Sequence, residues 1–338
     1  LFSLDGRFIR DITLPGLGTA SWSDAEQKAT ELFYSFATFI SPPSVYRLDL
    51  NTGQSELIHT SKLSFDPARY VTEQVFYRSK DGTRVPMFLV HRRGIERNGR
   101  NPVLLYGYGG FNIALTPWFS SSHIAWMDMG GIFAVANLRG GSEYGEAWHL
   151  AGSKLNKQNV FDDFIAAAEW LISNQYTSSS KLAIEGESNG GLLMGAVVNQ
   201  RPDLFGAVLA GVGVMDMLRY NKFTAGVGWV GDYGSPENQE EFRALLAYSP
   251  LHNIRAGVRY PAVLVTTADH DDRVVPGHSF KYTATLQAAQ AGPAPILIRV
   301  ETRAGHGGGK PRLKVINLTT DQYAFVLRSL NISLPKSF

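Results

Sequence analysis

The chain has 338 residues, 44% of them apolar and 12% aromatic, with a formal net charge of +2 and no cysteine. That length buries a large core and allows one big domain or two smaller ones. The near-balance of charge, with no basic block or stripe, speaks against nucleic acid or an anionic membrane surface as partner, and the lack of cysteine excludes disulfides, a thiolate metal site and a cysteine nucleophile.

The first residues, Leu1-Phe-Ser-Leu4, Asp5-Gly6 and Arg7-Phe-Ile-Arg10, predict a β-hairpin already under way. With no initiator methionine and no signal-like stretch, we expect a fragment of a longer protein whose targeting signal lay in the missing part. The expected compartment is the cytoplasm, with the periplasm as alternative, because a cysteine-free chain suits both. Leu32–Phe39 is aromatic and β-prone, and Val45–Leu50 and Ser55–Ile58 flank the turn Asn51-Thr-Gly53. About one blade of a repeating all-β structure fits this stretch, although no second copy follows.

Two chemical styles meet near residues 62–74. Beyond them Gln74–Ser79, Asp81-Gly82 and Arg84–Val90 predict an antiparallel hairpin, and Pro102–Tyr106 and Gly131–Ala136 are buried-type strands. Phe161, Phe164, Ile165, Ala168 and Leu171 share one face of a helix. Lys181–Ile184 reads as a strand and Gly191–Asn199 as a small-residue helix. The apolar run Phe205–Met217 is too short to span a bilayer, which takes about 20 residues, and glycines and Asp216 break it. Pro261–Thr266, a helix around 277–290, Ile296–Val300 and a last helix near 319–329 complete the series. Strands alternating with helices predict an α/β fold: a mostly parallel sheet with helices on both faces.

Gly186-Glu187-Ser188-Asn189-Gly190-Gly191 lies between the strand ending at Ile184 and the next helix. That is the setting of a G-x-S-x-G elbow in an α/β-hydrolase fold, where glycines relieve a crowded turn and the serine projects at the strand end. A glycine-rich turn with an incidental serine is the plain alternative, and the strand–turn–helix context speaks against it. A triad here runs in the order serine, acid, histidine. His252, His270, His278 and His306 follow Ser188, and only His306, in Ala304-Gly-His-Gly-Gly-Gly309 after a strand, sits where the base belongs. The acid falls in Asp269-His-Asp-Asp272, and pattern alone leaves Asp269, Asp271 and Asp272 open. Neighbouring side chains of one short loop do not converge on a metal, so this cluster is not read as a metal site. The oxyanion is expected to meet the Asn189 N–H and a second donor from Gly107–Phe111. That loop lacks the spacing of a dinucleotide-binding turn.

These residues resemble the prolyl oligopeptidases. The likeness rests on Leu104–Asn112, Ala136-Asn-Leu-Arg-Gly-Gly141 with Glu143-Tyr-Gly145, Gln158–Asp163, Gln200–Phe205, Gly213–Leu218, Ala268–Pro276 and Ala304–Gly307, and it runs from about residue 70 to the C-terminus. It implies that Asp271 is the triad acid beside Ser188 and His306, and that the Tyr108 hydroxyl joins Asn189 as oxyanion donor. It also implies that Arg273 binds a substrate carbonyl and that Trp229, Phe111, Val214, Tyr233 and Val274 line a proline-sized pocket. Members carry a β-propeller that caps the site and admits short peptides. Residues 1–65 resemble its last part, leaving 66–338 as the catalytic domain. The implied activity is cleavage of short proline-containing peptides on the carboxyl side of proline, by a monomer that needs no cofactor or metal. The sequence departs from the family at Glu187, where glycine is usual, and at Ser142, where a third glycine is expected. A carboxylate beside the nucleophile is expected to crowd the elbow or raise the His306 pKa.

The same fold also serves oligopeptidases specific for basic residues, esterases, and binding proteins that have lost catalysis. A basic-residue pocket needs buried carboxylates where this one has aromatics. A dead hydrolase would lack a triad member, and this chain keeps all three.

Overall fold

The computed structural model describes residues 1–334. The N-terminal strands β1 (Thr19–Trp22), β2 (Glu31–Ala37), β3 (Ser44–Asp49) and β4 (Ser55–His59) form one four-stranded antiparallel sheet in the order β1-β2-β3-β4. Tyr34, Phe36 and Leu48 make its small core. The hairpin expected at the extreme N-terminus is reduced to a single bridge between Phe2 and Phe8, whose rings meet edge to face at 5.5 Å. Both rings stay exposed, so little apolar burial supports longer pairing.

The second sheet holds eight strands. They are β5 (Tyr70–Arg78), β6 (Arg84–Arg92), β7 (Val103–Gly107), β8 (Ile132–Ala136), β9 (Leu182–Glu187), β10 (Ala207–Gly211), β11 (Ala262–Ala268) and β12 (Ile296–Glu301). Their order is β12-β11-β10-β9-β7-β8-β6-β5, parallel from β12 to β8 and antiparallel for β6 and β5. Every residue of β8, β10 and β11 is buried, as a sheet covered on both faces requires.

Among the described residues eight α-helices accompany this sheet: α1 (Ser121–Asp128), α2 (Glu146–Leu150), α3 (Gln158–Ser173), α4 (Asn189–Gln200), α5 (Val230–Tyr233), α6 (Gln239–Tyr248), α7 (Gly277–Ala289) and α8 (Arg312–Ser329). Side chains of α3, α4, α6 and α7 pack with one face of the strands in the main core. On the other face Ile124, Trp126 and Met127 of α1 and Val326 of α8 close a second core. The last helix begins at Arg312, seven residues before the predicted start, because its first two turns hold exposed Leu313, Val315 and Ile316 rather than a core stripe. Phe39, just after β2, packs on Phe88, Trp118 and Phe133, so the small sheet is anchored in the larger one. No helix among the described residues is long and apolar enough to cross a membrane.

This is the α/β-hydrolase fold. Its parallel strands β7, β9, β11 and β12 all end at one edge, and the loops leaving that edge carry the candidate residues. Open parallel sheets bind ligands there because the crevice lies outside the carboxyl ends.

Candidate active site

The elbow is built by backbone crowding. Ser188 follows β9 and has φ +57°, a left-handed conformation that non-glycine residues adopt rarely and that collects at functional sites. A methyl on Gly186 would lie 2.5 Å from Gly190 O, and one on Gly190 would lie 2.7 Å from Gly107 O. Glycine at these two places is what lets the turn close and the neighbouring loop pass. Asn189 opens α4, so its N–H has no partner inside the helix and points from the positive end of the helix dipole.

Tertiary structure separates the three aspartates. Asp271 is 3% exposed; its Oδ1 accepts from the N–H groups of Arg273 (3.0 Å) and Val274 (2.9 Å), and its Oδ2 lies 2.7 Å from His306 Nδ1. Asp269 turns outward and accepts instead from Arg303 N at 2.9 Å and Ala304 N at 3.3 Å, tying the acid loop to the base loop. Asp272 is exposed. Among the described residues the His306 ring makes that one hydrogen bond to Asp271, and none joins it to Ser188. The other histidines have ordinary places. His278 accepts from Asp216 N, and burial pushes it down to about 4; His252 bonds Ser249; His270 bonds Asp269 on the surface.

Tyr108 stands in the loop after β7. Burial pushes its hydroxyl up to about 12, with Asp232 adding to the rise and Arg273 opposing it, so it remains a donor throughout neutral pH. Arg273 is exposed and close enough to Tyr108 to act on it electrostatically.

The five pocket candidates belong to one apolar cluster. Val214, Val274 and Tyr233 are each 1% exposed, while Phe111 and Trp229 remain partly open. Tyr233 meets Phe111 edge to face at 5.3 Å and Trp229 at 6.4 Å. Tyr220, which sequence reasoning missed, stacks on Trp229 at 6.2 Å.

Glu187 does not block the elbow. It pairs with Gly211 across β9 and β10, and its Cγ lies 2.9 Å from where a Cβ on Gly211 would be. The absent side chain at 211 supplies the room, and Glu187 is exposed.

Sequence reasoning also missed Lys157 and Asp232, buried below the Tyr108 loop at 1% and 5% exposure. One signal was available. Lys157 sits at the N-cap of α3, where the helix dipole disfavours a cation, and a residue that breaks a local rule without local gain marks a tertiary task.

A serine on a strained elbow, with an aspartate–histidine pair on the next loops, defines a hydrolase-type site. The comparisons place it further. The sequence model of the Prolyl oligopeptidase family matches residues 117–333, and that of the family's N-terminal beta-propeller domain matches residues 1–61. The chain is 52% identical over 328 residues to a prolyl endopeptidase of Elizabethkingia miricola, covering 97% of this chain and 46% of that protein. It is 46% identical to a Dictyostelium discoideum prolyl endopeptidase, covering 99% and 45%. A solved prolyl endopeptidase superposes with a TM-score of 0.95 at 48% identity, covering 98% of this chain and 49% of that one. Oligopeptidase B from Leishmania major gives 0.90 at 32% identity, covering 96% and 46%. The chain belongs to the prolyl oligopeptidase family. It spans about half the length of these relatives.

Proposed function

We propose that this chain carries the catalytic machinery of a serine endopeptidase that cuts short peptides on the carboxyl side of proline. The observation that carries the reading is the meeting, at one sheet edge, of the Ser188 elbow and the Asp271–His306 pair with the Phe111–Tyr233–Trp229 cluster. Restriction to short peptides rests on the propeller match at residues 1–61.

The steps follow from the geometry. As substrate arrives, His306 Nε2 comes within reach of Ser188 Oγ and takes its proton while Oγ attacks the carbonyl after proline. Asp271 holds Nδ1 protonated and stabilises the imidazolium. The Asn189 N–H and the Tyr108 hydroxyl take the charge on the carbonyl oxygen. His306 then protonates the leaving amine, and water repeats the sequence on the acyl-enzyme. A pyrrolidine ring is compact and rigid, and its nitrogen carries no hydrogen within a peptide, so it suits an aromatic floor that offers no hydrogen-bond partner. A pocket for lysine or arginine would need a free carboxylate. Asp232, beside this cluster, is already paired with Lys157 and His149.

The test uses the full-length protein. A fluorophosphonate should label it once, at Ser188, and Ser188→Ala should abolish labelling and lower kcat roughly 10⁶-fold. Peptides differing only in proline or lysine before the cut should be cleaved in favour of proline. Preference for lysine would overturn the specificity, and label elsewhere the mechanism.

A further inference from the structure

The Lys157–Asp232 pair has no part in the steps above, yet its bonds end on the groups that carry the oxyanion donors. Lys157 Nζ donates to Gly109 O at 2.9 Å and to Asn189 Oδ1 at 3.1 Å, and lies 3.6 Å from Asp232 Oδ2. Asp232 Oδ1 accepts from Phe111 N at 3.0 Å and bonds His149 Nε2 at 2.9 Å. Asn189 Nδ2 donates to Tyr108 O at 2.5 Å, and the Tyr233 hydroxyl donates to Asn189 Oδ1 at 3.0 Å. The backbone of residues 108, 109 and 111 and the side chain of Asn189 are thereby tied into one buried knot.

Burying a lone cation is unfavourable, and burial does push Lys157 below the ordinary lysine range, with Asp232 acting the other way. If filling space were the task, apolar side chains of similar volume would do it without desolvating two charges. What they could not do is bond a carbonyl and an amide oxygen at once. Those two acceptors belong to the two segments that carry the donors: Gly109 follows Tyr108, and Asn189 follows Ser188.

We propose that Lys157, with Asp232 as its counter-ion, is a positioning residue that holds the Tyr108 hydroxyl and the Asn189 N–H at the one spacing an oxyanion fits. The inference rests on the serine-peptidase reading above. Oxyanion donors act because they are aimed before charge develops, and misplacement by about 1 Å costs on the order of 10²-fold in rate. The pair bonds neither nucleophile nor base, and because it also reaches the pocket residues Phe111 and Tyr233 the test must separate oxyanion binding from proline binding.

The experiment replaces Lys157 with methionine in the full-length protein. Lys157→Met should lower kcat on a prolyl peptide amide about 10²-fold and weaken a peptidyl-prolinal, which binds as an oxyanion-bearing hemiacetal, by a similar factor. KM and the affinity for a product peptide ending in proline should stay within about twofold, because neither carries the oxyanion. In a Tyr108→Phe background the same change should cost less than about tenfold, since one donor it positions is gone. Equal losses in prolinal and product binding, undiminished cost in the Tyr108→Phe background, or unchanged kcat would each overturn the proposal. If Lys157→Met fails to fold, Lys157→Met with Asp232→Asn removes both charges, and should fold and show the same losses. A chain that unfolds without the pair in either form needs it for structure, and the proposal falls. Fluorophosphonate labelling of the unaltered protein separates the two readings, since its failure at Ser188 condemns the peptidase assignment itself.

Discussion

The two halves of the site are built to different standards. On the proposed oxyanion side, Tyr108 and Asn189 sit on a buried knot in which Lys157, Asp232, the Asn189 amide and the Tyr233 hydroxyl bind one another. On the proposed proton-moving side, Asp271 and His306 hang from loops after β11 and β12, and the histidine is followed by three exposed glycines, Gly307–Gly309. One bond to Asp271 orients its ring. The contrast follows from the chemistry. Donors that meet a developing charge must be aimed beforehand, because turning them during the reaction would forfeit the stabilisation they give. A base that takes a proton from one oxygen and hands it to a nitrogen needs a fixed axis and some freedom at the other end.

The largest expected effect lies in the looser half. Asp271→Asn should keep the bonds from Arg273 and Val274 but present an amide to His306 Nδ1 and favour the wrong tautomer. A fall in kcat of about 10⁴-fold is expected, the scale of this change in other triads. Steady-state assays on a proline peptide read it, and a loss below tenfold would show that the single bond does not set the base. Trp229→Ala tests the pocket on the stiff side. It should lower kcat/KM about 10–200-fold for proline substrates, the range of a few buried methylenes, and far less for alanine substrates. Equal losses on both would make the indole a structural element.

The smallest effect concerns the floor beneath the elbow. Burial, with Glu187 adding its charge, pushes Glu185 on β9 from 4.5 up to about 8. A raised carboxyl pKa means that the neutral form belongs to the folded state. Its contribution to stability is whole below about pH 4.5 and is lost as pH rises through about 8. Urea unfolding of the full-length protein should therefore show a decline across that window which Glu185→Gln flattens. Parallel curves for the two proteins would mean that the carboxyl titrates normally.

How far the sequence could be read depended on whether a constraint was local. Ser188 was legible because Gly186 and Gly190 answer contacts within the turn and with the adjacent loop. The inward turn of Asp271 toward His306 is not legible from pattern, since Asp269, Asp271 and Asp272 fall within four residues and differ only in which one turns inward. Strand β10 stands out in the sequence as an apolar run but not as a strand, because burial on both faces erases alternation. Helix α6 went unread, as only Leu245 and Tyr248 are buried along it. Yet Asn238, which caps Glu240 N and Glu241 N, with Glu241 three residues on, is a helix-start signature the eye could have found. The Lys157–Asp232 knot joins distant segments, so no window contains it.

The fit of Glu187 over Gly211 has a consequence for how such sequences drift. A methyl at 211 and the Glu187 side chain as it stands ask for the same volume, since the Glu187 Cγ lies 2.9 Å from where that methyl would be. The two positions therefore have one joint inheritance. A lineage that acquires glutamate beside its nucleophile is committed to glycine on the neighbouring strand, and one that fills that strand position first has closed the road to glutamate. Among homologues glutamate at 187 should therefore occur with glycine at 211, whereas glycine at 187 leaves the neighbouring strand position free of this contact.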